Sequence, residues 1–163
     1  MVGLRGQQET IQIIIMKSFL LNKDNKPIIK WGQLKDNIFY EGQVPEEFSL
    51  AVAPFGKYIV LDVDVKGDKD GFKYIPTDVL LELEMTFWYN TKSGGAHFWC
   101  LYTGNKTLMN RATKFGLDCR VGADKRSNGG YVKYNHSVDI RECIHLIKPT
   151  TSLLNEFLEK LFS

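Results

Sequence analysis

Two aspartates one residue apart, Asp62 and Asp64, close the apolar run in YIVLDVDVKGDKDG, Tyr58 to Gly71. In a strand, alternate side chains share a face. Ile59, Leu61, Val63 and Val65 would then point one way, and Val60, Asp62 and Asp64 the other, with the two carboxylates about 7 Å apart along the strand. Carboxylates so placed, beside a loop containing glycine, suit a hard divalent cation such as Mg2+ or Mn2+ and leave positions open for water or phosphate oxygens. They equally suit a solvated strand end, because an Asp-x-Asp pair is a common accident of sequence. Asp68 and Asp70, further into the loop, read as solvated charge.

Two more segments carry residues with chemistry to offer. In TKSGGAH, Ser93, Gly94 and Gly95 precede His97. Glycines let a backbone approach a ligand closely, and their amides can cradle an anion. An imidazole just beyond them can donate to a phosphate oxygen. The same histidine, followed by Phe98 and Trp99, also reads as a structural residue of an apolar strand. In GLDCRV, alternation puts Asp118 and Arg120 on the face opposite Leu117, Cys119 and Val121. Such a pair is either a simple ion pair or a metal ligand beside a phosphate clamp. The glycines of NGGYV, which follows, again allow close passage of a backbone.

The elements that must position these residues are short and varied. IQIIIMKSFLL (Ile11 to Leu21) reads as a buried strand, and WGQLKDNIFY has room for a short helix. Strands are predicted over Ser49 to Pro54 and Lys57 to Val65, a loop over KGDKDGF, and a short helix over Thr77 to Met85. TFWYN and AHFWCLY form a predicted hairpin about TKSGG. Gly116 to Val121 and Gly130 to Tyr134 are two further strands around a polar loop. In the tail, Leu153, Leu154, Phe157, Leu158 and Leu161 recur at helical spacing behind a Thr or Ser cap. Together these imply one α+β domain over residues 1–163, with a mixed, largely antiparallel sheet.

Composition narrows the class. With 163 residues, 44% apolar, the chain can bury one core but not two comfortable ones. Cys100, Cys119 and Cys143 are odd in number and widely spaced, which argues against a disulfide framework or zinc cluster and fits a reducing, intracellular setting. No apolar run approaches the roughly 18–20 residues of a membrane span, and MVGLRGQQETIQ lacks the apolar core of a signal peptide. A cytoplasmic protein is expected. The net charge of +2 is too small to imply nucleic acid, but its distribution is uneven. Between Lys106 and Lys133 stand seven basic residues (Lys106, Arg111, Lys114, Arg120, Lys125, Arg126, Lys133) against Asp118 and Asp124.

Taken in order, DVDV, SGGAH, LDCR, GGYV and the serine closing YNHS resemble the bifunctional primase/polymerase (prim-pol) domain of the archaeo-eukaryotic primase superfamily. That family's pattern is an Asp-x-Asp or Asp-x-Glu at the end of an apolar strand, Gly-Gly-x-His, an apolar-Asp-x-Arg strand, a GGYVV-like strand and a Pro-Pro-Ser-like segment. NKPIIKW, Asn25 to Trp31, is similar to its opening stretch, so the resemblance runs from about Asn22 to Ser137. It implies an RRM-like primase core flanked by short helices. It also implies a nucleotidyltransferase that makes or extends primers on single-stranded DNA, in the replication of a viral or plasmid-type element. By the resemblance, Asp62, Asp64 and Asp118 hold Mg2+ or Mn2+, His97 contacts the triphosphate with Ser93, Gly94 and Gly95 near it, and Arg120 contacts phosphate or template. A helicase domain or protein is the implied partner. The chain departs from the pattern at Gly95, where many members carry serine, and at Asn135-His136-Ser137 in place of Pro-Pro-Ser.

Two other functions fit parts of the sequence. An Asp-x-Asp after an apolar strand also suits a metal-dependent nucleotide-sugar transferase. Phe87, Trp88, Tyr89, Phe98, Trp99 and Tyr102 would equally furnish the stacking surface of a non-catalytic single-strand binder, or else a core.

Overall fold

The computed structural model of the chain describes residues 16–34, 39–122 and 129–163. Its strands are β1 (Met16–Leu21), β2 (Ser49–Pro54), β3 (Tyr58–Val63), β4 (Val65–Lys66), β5 (Lys69–Asp70), β6 (Phe87–Asn90), β7 (Ala96–Leu101), β8 (Leu117–Arg120), β9 (Val132–Lys133) and β10 (Lys148–Pro149). Its α-helices are α1 (Thr77–Leu83), α2 (Ile140–Cys143) and α3 (Ser152–Phe162). The chain has the expected α+β architecture with a mostly antiparallel sheet. Among the described residues no helix is long and apolar enough to cross a membrane.

The main sheet is built around β3, which pairs antiparallel with β7 on one edge and with β8 on the other. The far edge of β7 is shared end to end by antiparallel β6 and parallel β10. Thr86 stitches that junction: its hydroxyl donates to the Trp99 carbonyl at 2.5 Å and accepts from the Lys148 amide at 2.8 Å. A second sheet, in the order β1-β2-β9, lies over the other side.

Alternation along β3 decides what each face buries. Ile59, Leu61 and Val63 join Phe98, Cys100, Leu117 and Cys119 beneath Val79 and Leu83 of α1 and Leu154, Leu158 and Phe162 of α3. The i, i+4, i+8 spacing of the last three places them on one stripe of α3, which Thr151 caps by accepting from the Leu154 amide. On the opposite face Val60 and Trp99 pack with Phe87 and Tyr89 against Met16, Val52 and Val132 of the second sheet, Tyr134 just past it, and Ile140 and Cys143 of α2.

Several expectations need correction. β3 stops at Val63 rather than Val65, because the Asp64 amide donates to the Gly116 carbonyl at 2.8 Å and the Asp64 carbonyl accepts from Gly71 at 2.9 Å. Those bonds turn the chain out of the ladder into the β4–β5 hairpin and a 3-10 turn, Gly71–Tyr74, where a plain loop was expected. Asp70 is more than solvated charge, since its carboxylate caps that turn by accepting from the Phe72 amide. The strand expected from Gly130 shrinks to β9 and pairs with β2, not with the sheet that holds Asp118. The helix expected in WGQLKDNIFY is a single 3-10 turn, Trp31–Gln33; its continuation through residues 35–38, and the start of the first expected strand, lie outside the described residues.

Glycine placement in the β6–β7 hairpin yields a test. Gly94 closes the turn with φ +92° and open space around it, whereas a Cβ on Gly95 would stand 2.0 Å from the Val63 carbonyl oxygen. Gly95→Ala is therefore expected to cost roughly 2–4 kcal/mol in denaturant unfolding, against about 1–2 kcal/mol for Gly94→Ala, which meets only backbone strain. Equal costs would contradict the packing described.

Candidate active site

Register brings three distant sequence motifs into one row. Asp62 lies directly opposite His97 of β7 and directly opposite Asp118 of β8, while His97 lies opposite Tyr89 of β6. Directly opposed residues of an antiparallel pair present their side chains to the same face, with Cβ atoms about 4.5–5.5 Å apart. Tyr89, His97, Asp62 and Asp118 thus cross four strands side by side. The neighbouring row on that face is Phe87, Trp99, Val60 and Arg120, an apolar floor ending in a guanidinium. Asp64 stands just past the end of β3, and the β6–β7 hairpin tip with Ser93 and Gly94 lies at the same end of the sheet.

Each ionisable group of the row has a partner. His97 Nε2 is 3.2 Å from Asp62 Oδ1, with the imidazole buried and the carboxylate half-buried. Asp118 is buried; its Oδ1 accepts from the Thr113 amide at 3.0 Å and its Oδ2 from Arg120 Nη2 at 3.1 Å. The Arg111–Cys119 bridge and the Leu117 amide bonded to the Thr113 hydroxyl hold the Thr113 segment against β8.

The electrostatics follow from burial and crowding. Burial pushes the Asp64 carboxyl above its ordinary range, repulsion from Asp62 and Asp118 adds to the shift, and Lys69 and Arg120 oppose it. Burial also raises Asp118, with the Thr113 amide and Arg120 pulling back and Asp62 pushing the same way as burial. These carboxylates are close enough to repel one another and are only partly neutralised.

As donors, three carboxylates without a thiol match a hard divalent cation rather than zinc. Among the described residues no three acid, imidazole or thiol groups already converge on a common point. Asp62 faces His97 and Asp118 faces Arg120, so an ion would be held by carboxylate oxygens that turn from these partners or use their remaining lone pairs.

Sequence reasoning placed Asp62, Asp64, His97, Asp118 and Arg120 in one site, and the fold brings those five together. The glycines have structural tasks: the close approach at Gly95 is to the β3 backbone, and Ser93 Oγ lies 3.4 Å from Thr91 Oγ1 on the exposed tip. Phe87, Tyr89, Phe98, Trp99 and Tyr102 are buried, leaving Trp88 alone of the six aromatics exposed. Arg120 turns to Asp118, and Arg111 donates to the Leu161 carbonyl. Lys125 and Arg126 fall outside the described residues.

Sequence reasoning missed the groups behind His97. The Tyr89 hydroxyl is 3.0 Å from His97 Nδ1 and accepts from Trp99 Nε1 at 3.2 Å, and His136 stacks on the Tyr89 ring with centroids 5.1 Å apart. The period-2 spacing of Tyr89 and Phe87 was the available signal, but only pairing with β7 reveals the contact.

The chain matches no model of a known protein family, and no curated protein matches it.

The raised Asp64 pKa fixes the sign of a pH effect. A carboxyl whose pKa rises on folding keeps its proton longer in the folded state, so its ionisation costs stability above the ordinary carboxylate range and costs nothing below it. In metal-free buffer at neutral pH, Asp64→Asn is expected to stabilise the protein by no more than about 1 kcal/mol, because solvent screens a half-exposed group. The gain should fade as pH falls to about 4. Thermal unfolding of both proteins across that range checks it; a variant less stable at neutral pH would contradict the crowding.

Proposed function

We propose that the chain is a metal-dependent nucleotidyltransferase of the primase–polymerase kind, which makes or extends primers on single-stranded DNA from nucleoside triphosphates. One observation carries the reading: Asp62, His97 and Asp118, which belong to three motifs spread over more than fifty residues, stand side by side in one register row, with Asp64 just past the end of β3 beside it. The crowding of carboxylates above an apolar floor supports it, since shifted pKa values of this kind concentrate at functional sites. Few exposed rings remain for a stacking platform, so a non-catalytic single-strand binder has less behind it.

In such a reaction the primer 3′-hydroxyl oxygen bonds to the α-phosphorus of the incoming nucleotide and pyrophosphate departs. Asp62, Asp64 and Asp118 would hold one or two Mg2+ or Mn2+ ions, whose charge makes that hydroxyl more acidic and offsets the charge of the departing group. His97 offers Nε2 to a triphosphate oxygen. Arg120 holds Asp118 in place and supplies positive charge beside the phosphates. The exposed cations Lys106 and Lys114 would contribute salt-sensitive attraction to template and primer. The protein would act in the cytoplasm on a template kept single-stranded by a helicase domain or protein.

The test is extension of a labelled primer on a single-stranded template with Mn2+ or Mg2+. Wild type is expected to extend, and Asp62→Ala and Asp118→Ala are expected to lose about 100-fold or more, the scale of removing one charge-stabilising group. His97→Ala is expected to raise the nucleotide KM more than it lowers kcat. Extension that survives in both aspartate variants would overturn the assignment. Transfer from a nucleotide sugar, with no extension, would replace the reaction.

A further inference from the structure

The groups behind His97 form a chain whose hydrogens can be counted. An indole nitrogen donates and cannot accept, so the Trp99 Nε1–H must give its hydrogen to the Tyr89 oxygen, 3.2 Å away. Tyr89 is buried, and its own hydroxyl hydrogen needs an acceptor. The hydrogen bonds place one there, Nδ1 of His97 at 3.0 Å. A nitrogen that receives this hydrogen carries none itself, so the imidazole hydrogen sits on Nε2, which faces Asp62 Oδ1 at 3.2 Å. The opposite tautomer would leave the Tyr89 hydroxyl hydrogen buried without a partner and place two nitrogen and oxygen lone pairs face to face at the Asp62 side.

The Tyr89 ring has little freedom to break the chain. His136 stacks on one side with an interplanar angle of 8°, and Tyr134 meets it edge-on at 5.4 Å. Burial also drives the Tyr89 phenol pKa far above its ordinary value, so the hydroxyl keeps its hydrogen to donate.

We propose that Tyr89 is a positioning residue: anchored by Trp99, its hydroxyl donates to Nδ1 of His97 and locks the imidazole hydrogen onto Nε2, aimed at Asp62 and at any phosphate oxygen bound beside it. This rests on reading the row as a nucleotide site for its purpose, but not for its geometry. A histidine with a free tautomer would present a lone pair to a phosphate oxygen part of the time and repel it; the Tyr89 hydroxyl on one nitrogen and Asp62 on the other together remove that state. Fixing a ring nitrogen from behind is how supporting hydrogen bonds set the role of a functional histidine.

Nitrogen NMR of the 15N-histidine-labelled full chain reads the tautomer directly. The chain has three histidines, and spectra of His97→Gln and His136→Gln assign the His97 signals. In the wild type, at a pH where the ring carries a single hydrogen, His97 is expected as the single Nε2–H tautomer, with Nδ1 unprotonated and hydrogen-bonded. An Nδ1–H tautomer or a mixture overturns the proposal with no variant needed. Tyr89→Phe removes only the hydroxyl and its hydrogen bond, so the His97 Nδ1 signal should move to that of a nitrogen that receives no hydrogen bond, with Asp62 left as the one group holding the hydrogen on Nε2, while the His145 signals stay unchanged as a control for folding; an unchanged Nδ1 signal overturns the role of Tyr89. In the extension assay the same variant should raise nucleotide KM in the same direction as His97→Ala but by less, and a fall in kcat alone would overturn the link to phosphate. If wild type extends no primer, the functional reading fails while the tautomer result stands or falls by the spectra.

Discussion

The in-register pairing of β3 between β7 and β8 is the constraint on which the rest depends. On the helix side, Leu61 sits opposite both Phe98 and Cys119, and Val63 opposite Ala96 and Leu117, all buried beneath α1 and α3. A slip of one residue would take that apolar set away from α1 and α3 and carry Asp62 beneath them, a loss of packing and a buried charge at once. Burial on one face therefore fixes the row on the other. The carboxylates need no interaction of their own to stand beside His97 and Asp118; the core holds them there.

The second face shows how such a row is tolerated. Apolar residues fill it where the β1-β2-β9 sheet and α2 cover it, and the charged row occupies its open end, where Asp62 and Asp64 keep contact with solvent. Arg120 supplies counter-charge through direct contact with Asp118, His97 faces Asp62 at hydrogen-bond distance, and Lys69 adds a longer-range attraction. The balance stays incomplete, which is the condition a site needs if it is to gain by taking up a cation. Behind the charged groups, Tyr89, Trp99 and His136 turn an apolar layer into a support for one imidazole.

Much of this was legible in the residues. The alternation in YIVLDV and LDCR states which side chains share a face, and the aromatic runs about TKSGG state a hairpin. Tertiary pairing was not legible. That Asp64 leaves the strand follows from backbone bonds to Gly71 and to the distant Gly116, which carry no side-chain pattern. Gly95 looked like a ligand-facing glycine and proves to make room for the Val63 carbonyl. β9 was readable as a strand, but its partner β2 was not, because two-residue pairings leave no periodicity to match. Tyr89 read as either core or stacking surface; its hydroxyl matters only once β6 lies against β7.

The central claim is that Asp62, Asp64 and Asp118 form a metal and nucleotide site. Its most direct measurement is a crystal structure grown with Mn2+ and a non-hydrolysable deoxynucleoside triphosphate, with the anomalous signal of manganese recorded. The account predicts a manganese peak within about 2.1 Å of oxygens of Asp62 and Asp118, a distance typical of small hard cations, with the triphosphate running from that ion toward His97 Nε2. Manganese bound elsewhere, or a nucleotide seated away from the row, would contradict it.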